Sequence, residues 1–220
     1  MNRWITPILS IALISPVFAA DDEKKTAAEE DPNVISLFDG KTLGNWEPIN
    51  FGGEGNVLVE DGALLLEQGA IMTGIKWTGE VPARTNYEVS LDAQKVFGDD
   101  FFLALTAPVA ESYCTFVCGG WGGGVVGISS IDDFDASENE TATIEYFESG
   151  KWYHIRMRVE PGRIQCWVDD RRVVDVDIED REISLRPGDI DLCVPLGLAA
   201  FQTQVTYRNL KWTNLPAETE

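Results

Sequence analysis

Three stretches of this chain carry side chains whose types and spacing could do chemistry. The first is Cys118-Gly119-Gly120-Trp121-Gly122-Gly123-Gly124-Val125, five glycines around one tryptophan. An indole flanked by open backbone can stack on the axial C–H groups of a sugar ring while bare amides bond its hydroxyls. The same glycines equally suit a wide hairpin or bulge whose Trp packs inward. The second stretch is Ser129 to Thr141, crowded with short acidic and amide side chains. Asp132, Asp135 or Glu138 could serve there as a general acid or base. Asn139 would stand on a polar rim for substrate hydroxyls, and Asn139-Glu140-Thr141 also matches a glycosylation sequon. Asp133, Asp135, Ser137 and Asn139 are spaced by two, as in calcium loops, so a divalent cation is one option. Glu138 stands where such a loop needs Gly, and Ile144 where it needs the closing Glu, so a solvated acidic loop is the other. The third stretch sets His154, Arg156 and Arg158 beside Gln165, Trp167 and Asp169 across a turn. Charges on paired strands form a cross-strand ladder on a wet face, or else the polar floor of a groove.

Much chemistry is excluded. His154 is the single histidine, so no site needing two histidines, such as H-E-x-x-H, can be built. There is no G-x-S-x-G elbow, no G-K-[ST] phosphate loop and no dinucleotide fingerprint. The E-x-D-x-x-E strand of laminarinase-type sandwich glucanases is also missing from the folded part. Seventeen Lys and Arg against 37 Asp and Glu give a formal charge of -20, which repels phosphate backbones and argues against nucleic acid as a partner.

The elements that must position these residues read as strands. Tyr87 to Ala93 alternates apolar and polar without a break. So does Tyr153 to Val159, with Tyr153, Ile155, Met157 and Val159 on one face and His154, Arg156 and Arg158 on the other. Asp61-Gly62 joins Val57–Val59 to Leu64–Leu66 as a hairpin, with Gly62 supplying positive φ. Pro161-Gly162 fits a type II turn, and Val168 to Val173 holds a third. Further strands are expected at 34–38, 101–107, 113–118, 125–130, 141–147, 196–202 and 205–213. With hydrophobic residues at 44% and no amphipathic helix, this predicts an all-β, two-sheet antiparallel sandwich over residues 33–215.

Around that domain, Met1 to Ala20 has the layout of a secretory signal peptide: Arg3, an apolar run from Trp4 to Phe18, then Ala19 and Ala20 before an acidic stretch. Residues 21–32 read as a flexible acidic leader and 216–220 as a tail. No later segment is apolar over the ~20 residues a bilayer crossing needs, so no stable membrane insertion is expected after cleavage. The expected location is secreted or periplasmic. Export permits disulfides among Cys114, Cys118, Cys166 and Cys193. Cys114 and Cys118 would lie ~13 Å apart along one strand, beyond bonding reach. A core of this size does not need staples, so buried free thiols are the expectation.

One resemblance covers nearly the whole of this domain. Ile35-Ser36-Leu37-Phe38-Asp39-Gly40-Lys41-Thr42-Leu43-Gly44-Asn45-Trp46 is similar to the opening motif of the bacterial 3-keto-disaccharide hydrolase domain family. Gly150 to Arg156, Arg163 to Asp169, Gly197 to Gln202 and Tyr207 to Leu210 follow in that family's order. The resemblance implies a concanavalin A-like jelly roll, export, and hydrolase action on a carbohydrate oxidised at C3. A C3 ketone acidifies the C2 proton, so a base can drive loss of the C1 substituent, with water added afterwards. Such an enzyme needs a group to stabilise the enolate, a cation or a metal. The chain departs from the family at Asp100 to Thr106, where many members have S-G-I followed by arginine. The expected site residues are Trp121 as platform, Asp132, Asp135 or Glu138 as acid or base, and Asn139, Gln202 and Arg208 as polar contacts. A non-catalytic lectin-like module would use the same platform and rim without a base, and a cell-surface interaction domain would bind cations or a basic partner through its acidic face.

Overall fold

The computed structural model describes Met1 and residues 31–217. The expected signal peptide and nearly all of the leader lie outside the described residues. From Asp31 onward the chain forms two antiparallel sheets. The first contains β1 (Val34–Ser36), β3 (Val57–Glu60), β4 (Ala63–Leu66), β6 (Tyr87–Gly98), β11 (Trp152–Glu160), β12 (Arg163–Val168), β13 (Arg171–Asp177) and β15 (Thr203–Asn214). Its order is β13-β12-β11-β6-β15-β4-β3, with β1 also on β15. The second contains β2 (Trp46–Pro48), β5 (Met72–Trp77), β7 (Leu103–Val109), β8 (Ser112–Gly119), β9 (Val125–Ser129), β10 (Thr143–Ile144) and β14 (Gly197–Phe201). Its order is β10-β9-β8-β7-β14-β5-β2.

The expected alternation sets the core. Tyr87, Val89, Leu91 and Ala93 of β6 and Tyr153, Ile155, Met157 and Val159 of β11 all point inward and are buried. Leu103, Leu105, Phe116, Ile128, Leu198 and Ile75 meet them from the second sheet. Tyr87 stacks on Trp212 with ring centroids 4.0 Å apart, and its hydroxyl donates to the Pro108 carbonyl at 2.5 Å. Asp61 and Gly62 both take positive φ (50° and 79°), the geometry an Asp-Gly hairpin turn requires. Gly162 at φ 74° completes the turn between β11 and β12. All four cysteines are buried free thiols, and burial pushes Cys114 and Cys193 up to about 12.

Strands β2 and β5 were not expected. Thr73, Gly74 and Ile75 are buried on both faces of β5, so no alternation marks it. The reason lies on the outer face of the second sheet, where cross-strand register aligns two rows of mostly small residues. Gly74, Ala199, Ala104, Val117 and Gly127 form one; Gly197, Thr106, Thr115 and Ser129 form the other. A Cβ on Gly197 would lie 2.6 Å from Cys193 Cβ, and one on Gly74 would lie 3.1 Å from the Phe51 ring. These small residues let three coverings approach: Phe51 with Ile49, a short 3-10 helix (Asp189–Cys193), and the loop from Ala136 to Thr141. Between the coverings a cavity remains.

Candidate functional site

The cavity measures about 310 Å³. Ala104, Thr115, Val117 and Ser129, from the two small-residue rows, lie along it. Its aromatic surfaces are Trp121, Phe101 and Phe201, and Asp100, Arg186 and Asp189 supply the charge. Phe101 and Phe201 pack on each other at 5.7 Å. Trp121 sits on the glycine-rich turn after β8 and is 42% exposed, so the outward orientation holds over the inward one. Its backbone is left-handed (φ 51°, ψ 52°), with Gly119, Gly122 and Gly123 nearby also at positive φ.

Asp135 of the acidic loop does not itself line the cavity but bonds two residues that do, Ser129 and Arg186. Asp135 Oδ2 lies 2.6 Å from Arg186 Nη1, and the Arg186 guanidinium stands 5.7 Å from the centre of the Trp121 ring. Asp135 Oδ1 accepts from the Ser129 hydroxyl at 2.5 Å and from the Ala136 N–H at 2.8 Å. Trp121 and Asp135 are thus brought together, with an arginine between them that the sequence did not single out. Asp189, exposed at the start of the 3-10 helix, lines the cavity, and its carboxylate has no hydrogen-bond or ion-pair partner among the described residues.

The other expected residues are placed elsewhere. Asp132 accepts the Glu182 N–H at 2.8 Å and meets Arg181 at 2.5 Å, and both hold its carboxyl below the usual range. Arg181 also binds Glu140 at 2.6 Å, tying the acidic loop to the segment after β13. Glu138 is exposed and does not line the cavity. Asn139 is buried; its amide donates to the Ile128 and Phe134 carbonyls and its oxygen accepts from Thr141. That buried side chain is a loop organiser, inaccessible as a sequon in the folded state. Gln202 donates to the Ala70 carbonyl at 3.0 Å, beside the cavity residue Phe201. Arg208 lies on the other sheet, stacked 4.0 Å from the Trp152 ring centre.

That other sheet carries the ladder. His154 Nδ1 lies 2.8 Å from Asp92, Arg158 lies 3.0 Å from Glu88, and Arg156 stacks on Trp167 at 4.4 Å. Partial burial would raise Asp92, but hydrogen bonds with His154, Asn209 and Arg208 bring it below its ordinary value. These residues line the outer face of the first sheet and do not border the cavity. Among the described residues no three His, Cys, Asp or Glu side chains gather as a metal site. Asn139 turns into the protein and Asp135 toward Ser129 and Arg186, so the calcium-like spacing does not become a donor set. The cation at the cavity is Arg186.

The sequence model of the 3-keto-alpha-glucoside-1,2-lyase-like domain matches residues 33–213. No curated protein matches the chain. Among solved structures, the fold is similar to a provisionally assigned glycosyl hydrolase of Parabacteroides distasonis ATCC 8503. The identity is 14% and the TM-score 0.52, over 84% of this chain and 94% of that one. It is similar to the Crh5 transglycosylase solved with NAG, at 10% identity and TM-score 0.56, over 83% of this chain and 84% of that one. A Bacillus subtilis protein of unknown function with a galectin-like fold matches at 8% identity and TM-score 0.53, over 80% of this chain and 91% of that one. At these identities the likeness is one of fold: a two-sheet jelly roll.

Proposed function

We propose that this chain, which belongs to the 3-keto-alpha-glucoside-1,2-lyase-like domain family, is an exported enzyme that cleaves the glycosidic bond of 3-keto-disaccharides or related 3-keto-glycosides in the Trp121 cavity. One observation carries the reading: Asp135 fixes a guanidinium beside an exposed indole, in a cavity edged by an unpaired carboxylate. The indole takes the apolar face of the ring. Asp189 removes the C2 proton, the C2–H electrons form the enolate, and the C3 oxygen gains charge. Arg186 supplies the positive charge where that oxygen develops its own. The C1–O bond then breaks with its electron pair, and the proton on Asp189 is available to the departing oxygen. Water adds across the resulting double bond to give the free 3-keto sugar. No step is routed through a metal, since the described side chains of the cavity offer no converging donor set. Asp189 borders the cavity with its carboxylate free, whereas Asp132 lies outside it with its carboxyl held by Arg181 and the Glu182 amide. Export rests on the Arg3 to Ala20 pattern.

A non-catalytic carbohydrate-binding module is the second reading. Asp100 and Asp135 are spent on backbone N–H groups, a hydroxyl and Arg186, leaving one free carboxylate where glycosidases use two. The test incubates mature protein with 3-keto-trehalose and 3-keto-cellobiose, with and without EDTA, and follows the released sugar. Release that falls by about 10²–10⁴ in Asp189→Asn supports the enzyme. Saturable binding without release supports the module. Neither binding nor release overturns both.

A further inference from the structure

Asp100 lies where β6 hands over to β7, and its main chain is clamped. The buried Thr203 hydroxyl stands 3.3 Å from its amide nitrogen and 3.1 Å from its carbonyl oxygen. From this fixed point the carboxylate reaches two ways. Oδ1 accepts the Phe101 N–H at 2.7 Å, and Oδ2 accepts the N–H of Gly122, the residue after Trp121, at 3.1 Å. One planar group therefore ties Phe101, an aromatic surface of the cavity, to the turn that carries Trp121.

The turn needs such a tie. Left-handed backbone is disfavoured for a bulky side chain, and Trp121 adopts it at φ 51°. Gly119, Gly122 and Gly123 around it have the widest conformational choice of any residue. The Gly124-to-Gly120 and Glu145-to-Gly124 backbone bonds, at 3.1 and 2.9 Å, secure the base of the turn rather than its tip. We propose that Asp100 is a positioning residue that locks the glycine turn, so that Trp121 stands as a preformed platform before the sugar arrives. This rests on reading the cavity as a sugar site. Without the lock the turn samples other conformers, and apparent affinity falls in proportion to the competent fraction.

The experiment has a readout that needs no sugar. Mature protein is labelled with 5-fluorotryptophan and its ¹⁹F spectrum recorded, with the Trp121 line assigned by Trp121→Phe. The native protein gives one narrow Trp121 line. Asp100→Ala broadens or splits that line, while the other tryptophan lines stay in place and report an intact fold. Asp100→Asn keeps one acceptor and falls between. With 3-keto-trehalose, KM in Asp100→Ala rises about tenfold, as for a platform competent one-tenth of the time, and kcat changes far less. A Trp121 line unchanged in both variants overturns the proposal, as does a kcat loss with KM unchanged. If native protein neither binds nor cleaves the sugar, the sugar reading fails, and the ¹⁹F spectra alone decide whether Asp100 locks the turn. Should Asp100→Ala unfold, the Trp121 line of Asp100→Asn decides instead.

Discussion

Replacing Asp135 by Asn separates a base from a holder of Arg186. In the native site Oδ1 accepts from Ser129 and Ala136, and Oδ2 holds Arg186 at 2.6 Å. Asparagine keeps an oxygen for Ser129 and Ala136 but turns N–H donors toward the guanidinium, which lets go. The Arg186 side chain is 59% exposed against 13% for Asp135, so losing the pair costs at most about 1 kcal/mol. Weakening the Ser129 bond from charge-assisted to neutral costs about 1 kcal/mol more. The sum of about 1–2 kcal/mol lowers Tm by roughly 2–8 °C for a domain this size. Activity falls more, because removing a group that stabilises developing charge costs up to about 10²–10³ in kcat. Thermal unfolding and initial rates on 3-keto-trehalose are measured for native protein, Asp135→Asn, Arg186→Ala and the double variant. If Asp135 acts through Arg186, adding Asp135→Asn to Arg186→Ala changes the rate little. A further loss of about 10²–10⁴ in that background would make Asp135 the base and refute the assignment to Asp189.

Other expectations follow from the same geometry. Asp132 has its carboxyl lowered below 3.8 by the Glu182 N–H and Arg181, so it binds fewer protons folded than unfolded. Its contribution is full above its ordinary pKa and is lost as pH falls through the lowered one. Urea midpoints between pH 6 and 2 should therefore drop less steeply at the acid end in Asp132→Asn than in native protein. Trp212→Ala removes a fully buried indole and the partner of Tyr87, and should cost about 3–5 kcal/mol in denaturant unfolding. The four thiols, buried and raised in pKa, should resist a thiol reagent in buffer and all react in urea, and reductant should leave Tm unchanged.

Strands with one wet face were legible because alternation is a local consequence of burial on one side. The run Tyr87 to Ala93 lies in β6 and Tyr153 to Val159 in β11, and Asp61-Gly62 and Pro161-Gly162 make their turns. Strand β5 was not legible, since Phe51 and the segment around Cys193 cover the face that would have been polar. Trp121 stood out in the sequence by its glycines, which left its orientation open; the fold turns it outward. Arg186 and Asp189 did not stand out, because Ser184 to Asp189 has no periodicity or motif, and the two residues meet the cavity only where the chain returns over the second sheet. Arg208 and Gln202 follow one another in the chain by six residues, yet Arg208 lies on the first sheet and Gln202 on the return from the second. Composition, alternation, turn residues and motif order determined the all-β class, the strands with one wet face and the family, since each is set by neighbours in sequence. Which sheet a strand joins, which carboxylate finds an arginine and where a cavity remains were decided by long-range register and packing, which only the tertiary structure fixes.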